Sequence, residues 1–282
     1  MGVPTWGLQA GGILLQITFL LYVLSLAGYL FFLIFQKARI QKISVCLISG
    51  GVLTHLAGTV LLGAAIGGLP VHNMVQSLSM AALAIGGMFL YVQYKFNLKM
   101  LGLFAAAMLS AVMLAVLLLP DTQTVPNDTL KGFWFYCHII LIFTGDAALA
   151  LACGAGILYL LQEKGIKAKT PGFFFRRLPS LDFLDSVSHA CITTGFFLLT
   201  LGLITGFVYA KVLWGRFWSW DFKEVFSMGA WLVYAVLLHL RLYGGWRGRK
   251  SAIMTIVGFC IIVFTFLGVN LFLGGHHQEF TK

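Results

Sequence analysis

The run GFFLLTLGLITGFVYAKVLWG, residues 195–215, carries a single charged group, Lys211, near its end. As a helix, about twenty such residues rise about 30 Å, the thickness of the hydrocarbon layer of a bilayer. The surrounding chain has the same character: 60% of its 282 residues are hydrophobic and 10% are charged, with a mean hydropathy of +0.93. Too few polar groups are present to coat a water-soluble surface. Apolar runs of spanning length fall at about residues 9–35, 44–67, 73–94, 100–119, 134–161, 185–209, 224–243 and 251–273. Each is expected to be helical, because a backbone in lipid must satisfy its own hydrogen bonds, and none shows the ten-residue alternation of a barrel strand. The expected fold is all-α, a polytopic integral membrane protein with about eight transmembrane helices.

Lys and Arg in the connections set its orientation. One group of loops holds Lys37, Arg39 and Lys42; Lys95 and Lys99; Lys164, Lys167, Lys169, Arg176 and Arg177; and Arg241, Arg247, Arg249 and Lys250, fourteen of the nineteen basic residues. Placing that group in the cytoplasm puts both termini, and the connection between the sixth and seventh spans, on the outer side. The net charge of +10 is thereby accounted for by topology and calls for no nucleic-acid partner. The opening MGVPTWG lacks a basic n-region, so the first span is expected to be retained rather than cleaved as a signal.

The longest inner connection, EKGIKAKTPGFFFRRLPSLDFLDS (residues 163–186), is the best candidate for a break between two groups of helices, and its Phe173–Phe175 with Arg176 and Arg177 suit an interfacial anchor. The chain is nevertheless expected to form one membrane domain over residues 1–282. Cys46, Cys137, Cys153, Cys191 and Cys260 lie in or beside apolar spans without a CxxC pair, which suits small packing residues better than a disulfide scaffold.

Histidines inside a bilayer are costly and mark candidate sites. His55, His138, His189 and His239 fall in or at the edges of spans; His72, His276 and His277 lie outside them. His138 is four residues into the fifth span and therefore near the outer surface, where the eighth span delivers His276 and His277. The same surface receives WGRFWSWDFKE, residues 214–224. Imidazoles, indoles and cations converging there suit haem: two imidazoles to the iron, indole faces against the ring, and Lys211, Arg216 or Lys223 towards the propionates. Tryptophans alone would suit an aromatic belt, and Asp221 with Glu224 suits an N-terminal helix cap. His239 is about fifteen residues into its span, roughly 22 Å from the outer end, and His55 and His189 also lie too deep for the outer surface, so anything these three bind would occupy a second, deeper position. Asp146, the one carboxylate deep in an apolar span, is either a neutral acid bonded to a neighbouring helix or a partner for a membrane histidine.

WGRFWSWDFKE resembles the tryptophan-rich WGxxWxWDxKE signature (WWD motif) of the haem-handling cytochrome c assembly family. The likeness extends through the run at 195–215, WLVYAVLLHLR (231–241) and GVNLFLGGHH (268–277), and upstream through GGLPVHNMVQSL (67–78) and WFYCHIILIFTGDAALALACGAGI (134–157). It covers about residues 55–277 and is strongest over 195–277. Length, eight spans and WDxKE are similar to the CcsA (ResC) branch.

That resemblance implies a subunit of the two-component (System II) cytochrome c synthase, or haem lyase, acting with a CcsB (ResB) partner in a bacterial inner membrane. It implies transport of haem b to the outer side, and its thioether attachment to the CxxCH cysteines of an apocytochrome c. It also implies His138 and His277 as outer ligands of the haem iron and His239 as an intramembrane ligand whose mate comes from the partner. Trp214, Trp218, Trp220 and Asp221 fall on the signature platform. Since His276 adjoins His277, the second outer ligand is open by one residue. Three positions depart from the family's habit: Phe222 for proline, Gln76 for glutamate and Asp146 for tyrosine. Two other classes remain open at this stage: a membrane b-type cytochrome with paired histidines in this chain alone, and a permease, for which Gly67 and Gly68 beside Pro70 would be the broken helix.

Overall fold

Apolar runs become helices wherever capping groups permit. The computed structural model describes residues 5–119, 132–168, 172–173 and 176–268, which form eight helices long and apolar enough to cross a membrane and, among the described residues, no strand. The chain is a multi-pass membrane protein. Its helices gather into two compact units, divided between Gly132 and Phe133.

The first unit contains α1 (Thr5–Phe35), α2 (Ala38–Ile66), α3 (Met74–Phe96) and α4 (Leu101–Leu118). Small residues bring α1 against α2: a β-carbon on Gly58 would lie 3.2 Å from Leu14 Cβ and 3.3 Å from the Gly11 carbonyl oxygen. Such close approach substitutes for the hydrophobic force that lipid removes. One face of α1 presents Thr18, Tyr22, Ser25 and Tyr29, all fully buried. Thr18 Oγ1 lies 2.9 Å from Thr54 Oγ1, and Ser25 Oγ donates to the Ser44 carbonyl at 2.9 Å. Between them His55 is enclosed, with Nε2 2.9 Å from Ser79 Oγ and Nδ1 3.4 Å from the Tyr22 hydroxyl. Both ring nitrogens are thus engaged with α1 and α3, which makes His55 a polar hub of the core. His55→Ala is expected to destabilise the protein by about 1–3 kcal/mol by orphaning its buried partners. Thermal unfolding in detergent measures the loss.

The second unit contains α5 (Phe133–Lys167), α6 (Leu181–Trp214), α7 (Phe222–Tyr243), α8 (Arg249–Val263) and a π-turn, Phe264–Gly268. α5 is its central element, with every residue from Ala147 to Gly156 buried. α6 crosses it closely: a β-carbon on Gly145 would lie 2.9 Å from the Leu199 amide nitrogen. α7 is joined to α6 by Trp231, whose Nε1 donates to Thr200 Oγ1 at 2.9 Å and whose ring stacks on Phe196 at 5.5 Å. α7 meets α8 through the Tyr234 hydroxyl, which donates to the Thr255 carbonyl at 3.2 Å.

The long connection at residues 163–186 therefore lies within the second unit, between two of its packed helices, rather than at the division. There the Arg177 guanidinium sits 3.8 Å from the Phe173 ring centroid. α5 and α6 outrun their expected spans because capping, not the lipid boundary, ends a helix: Ser180 Oγ accepts from the Phe183 amide, and Gly215 closes α6 at φ 72°. The five cysteines stand as separate thiols.

Candidate functional site

α6 stops at Gly215, whose amide donates to the Lys211 carbonyl at 3.1 Å, while Lys211 Nζ donates to the Gly215 carbonyl at 2.7 Å. Six residues later, at Asp221, the chain enters α7 through a full capping box. Asp221 Oδ1 accepts from the Lys223 amide at 2.9 Å, and the Glu224 carboxylate reaches back to the Asp221 amide at 3.3 Å. Glu224 also accepts from the Ser219 amide and hydroxyl, each at 2.8 Å. The carboxylate thus grips the residues on either side of Trp220. Trp220 takes φ 60°, a left-handed conformation that costs a non-glycine residue about 1–2 kcal/mol.

That turn sends the Trp220 indole outward, 80% exposed. It meets Trp218 edge-on at 5.6 Å and 90°, and Trp218 in turn packs on Phe207 of α6 at 5.9 Å. Trp218 Nε1 is buried with no hydrogen-bond partner among the described residues. Trp214 is half-buried in the last turn of α6, and Phe217 is exposed beneath Lys211 Nζ, 5.5 Å away. Asp221 is buried and acts as the cap that holds the platform. Phe222 occupies the first position of α7, where a proline's missing N–H would leave no helical bond unmade.

His138 projects from α5 to α6, where Nδ1 lies 2.7 Å from the Gly202 carbonyl oxygen. A carbonyl can only accept, so Nδ1 carries a proton, and in the neutral ring the lone pair is then on Nε2, the tautomer that histidine ligands of metals use. Thr205 Oγ1 donates to the same carbonyl at 2.9 Å. Gly206 makes room for the ring, since a β-carbon there would lie 2.7 Å from His138 Nδ1. The next residue is Phe207, the one that supports Trp218. Within about a turn and a half, α6 thus offers Gly202 and Gly206 to His138 and Phe207 to Trp218.

The sequence pattern described as cytochrome c assembly protein matches residues 71–277. The chain belongs to that family. Its relatives include proteins named cytochrome c biogenesis protein CcsA. The one from Guillardia theta is 32% identical over 290 residues, covering 93% of this chain and 94% of that protein. The one from Synechococcus sp. (strain CC9902) is 33% identical over 239 residues, covering 75% and 78%. That from Chlamydomonas reinhardtii is 35% identical over 222 residues, covering 75% and 61%. Among solved structures, cytochrome c haem lyase CcmF shares the fold with a TM-score of 0.66 at 16% identity; the match covers 95% of this chain and 47% of that longer one.

Within the cytochrome c assembly match, the remaining expected residues separate. His239 is exposed on α7, its ring 5.0 Å from that of Tyr243. It lies about 25 Å along the helix from Phe222 and does not join the group around Trp220. His276 and His277 lie outside the described residues. Asp146 is half-buried and makes neither of its expected contacts, a hydrogen bond to a neighbouring helix or a pairing with histidine, among the described residues. Gln76 replaces the usual glutamate yet does a carboxylate's work: its Oε1 accepts from the His72 amide at 3.0 Å while its own amide donates to Asn73 Oδ1 at 2.8 Å.

Sequence reasoning missed the α6 supports of this candidate site, Gly202, Gly206 and Phe207. The Gly-x-x-x-Gly spacing of Gly202 and Gly206 was the available signal, since that pattern marks a face where another helix approaches closely.

Proposed function

We propose that this protein serves cytochrome c biogenesis by moving haem b across the membrane and presenting it on the outer side to apocytochrome c. It works as one membrane domain, with a CcsB (ResB)-type subunit, in a bacterial inner membrane, with both termini and the tryptophan segment outside. His138 and His277 hold the iron from two sides, while Trp214, Trp218 and Trp220 flank the ring and Asp221 holds their loop. His239 is a ligand of a separate intramembrane position whose mate the partner subunit supplies. Haem as cargo brings its own vinyl groups, which the CxxCH thiols of the apocytochrome attack. The protein binds, orients and shields.

The observation that carries this reading is the bond from His138 Nδ1 to the Gly202 carbonyl, five residues before the Phe207 that supports Trp218. In the neutral ring that bond leaves the lone pair on Nε2, the tautomer that suits an axial imidazole of haem. The test is replacement of His138 and His277 together in the full chain expressed with its partner. Outer haem and covalent cytochrome c are expected to disappear; normal maturation would exclude the site.

A finer test separates the adjacent histidines. His277→Ala is expected to lose the bis-histidine spectrum while His276→Ala keeps it, and the reverse result moves the ligand by one residue.

A further inference from the structure

The inner end of the second unit holds a buried ionic cluster that no step above uses. Arg241 of α7 is 8% exposed. It donates to both carboxylate oxygens of Asp185 on α6, Nη2 to Oδ2 at 2.8 Å and Nη1 to Oδ1 at 3.0 Å. Nη1 also donates to Ser251 Oγ of α8. Asp185 Oδ1 accepts in addition from the amide of Gly248, the N-cap of α8, at 3.0 Å. Three helices and the turn between two of them meet on one guanidinium and one carboxylate. A bidentate fork of this kind admits a narrow range of geometries. Breaking it would strand a charge in apolar surroundings, a large cost.

We propose that Arg241 and Asp185 are positioning residues for His239: their ion pair locks the rotation of α7 about its own axis and so sets the direction in which that imidazole points. Residues two apart on a helix are separated by about 200°. Arg241 shares the inward face with the fully buried Tyr234 and Leu237. His239 shares the opposite face with exposed Leu232, Val236 and Tyr243. Apolar packing alone tolerates small rotations, whereas the fork does not. Pinning Arg241 against Asp185 therefore holds His239 outward, where a group from outside the chain can reach it. The purpose assigned to that orientation rests on the reading of His239 as an intramembrane haem ligand.

The test uses the full chain in phosphatidylcholine vesicles with a nitroxide label at H239C. Oxygen collision rates, which report lipid exposure, are expected to fall several-fold when Arg241→Ala or Asp185→Asn is added. Unchanged rates in both variants overturn the proposal. Should Arg241→Ala fail to accumulate, Arg241→Lys carries the test, because a point charge cannot form the fork; an unchanged rate there is equally fatal.

A parallel experiment follows the Soret band of haem b in the unlabelled complex. His239→Gly and Arg241→Ala are both expected to lose the intramembrane signal. Added imidazole should restore it only in His239→Gly, where the ligand is missing rather than misdirected. If His239→Gly leaves the spectrum untouched, the haem reading of His239 falls while the label still decides the orientation.

Discussion

His138→Ala is expected to lower covalent haem attachment to a reporter cytochrome c by more than about a hundredfold, since removing a ligand should exceed the roughly 10–100-fold cost of disturbing the group that orients one. The more discriminating variant leaves the imidazole in place. Gly206→Ala would set a β-carbon 2.7 Å from both Nδ1 and Cε1 of His138, so the ring must swing off the Gly202 carbonyl. A loss of about 10–100-fold follows from that displacement, with the histidine chemically intact. Haem-stained gels of the reporter, normalised to the amount of protein in the membrane, measure both. Full maturation by Gly206→Ala would mean that the bond between α5 and α6 does not orient the working imidazole.

Glu224→Ala is expected to be nearly as damaging, although its side chain faces the loop rather than any cargo. It removes the acceptor for the Ser219 amide, the Ser219 hydroxyl and the Asp221 amide. Hydrogen bonds to a charged group contribute about 1.5–3 kcal/mol each, and the left-handed Trp220 between those donors costs about 1–2 kcal/mol to maintain. Without the carboxylate the strained turn has no restraint, and Trp218 and Trp220 lose their edge-on arrangement. Maturation should fall at least about tenfold while the protein still accumulates, because α7 keeps its packing through Trp231 and Tyr234. Quenching of tryptophan fluorescence by added haem reports the platform directly. Glu224→Gln, which keeps one accepting oxygen and loses the charge, should fall between the two. Trp220→Gly would relieve the backbone yet remove the indole, so it is not expected to rescue function.

Much of this was legible before any coordinates. Apolar length marked eight spans, and that from 224 to 243 became Phe222–Tyr243. The Asp-x-x-Glu spacing at Asp221 and Glu224 announced the capping box, because a helix start needs acceptors at those positions. The depth of His239 along its helix set it apart from His138. The prolongation of α5 and α6 was less legible, since hydropathy reads the lipid boundary and not the cap.

Residues far apart in sequence were invisible to spacing. His138 finds the Gly202 carbonyl 64 positions away, and Arg241 finds Asp185 at a separation of 56. Asp185 and Arg241 stand near opposite ends of their helices in sequence, and their pairing depends on which faces α6 and α7 turn towards each other.

The sequence by itself determined that this chain lives in a membrane, how many times it crosses, and which signature relates it to the cytochrome c assembly family. Those properties follow from run length, charge placement and local motif, which are one-dimensional. Only the tertiary structure decided the His138 tautomer, the outward throw of Trp220, the enclosure of His55 and the rotation of α7. Each depends on a carbonyl, a carboxylate or a small residue presented by another segment, and hydrogen bonds a few ångströms long are set by how helices cross rather than by the order of residues along them.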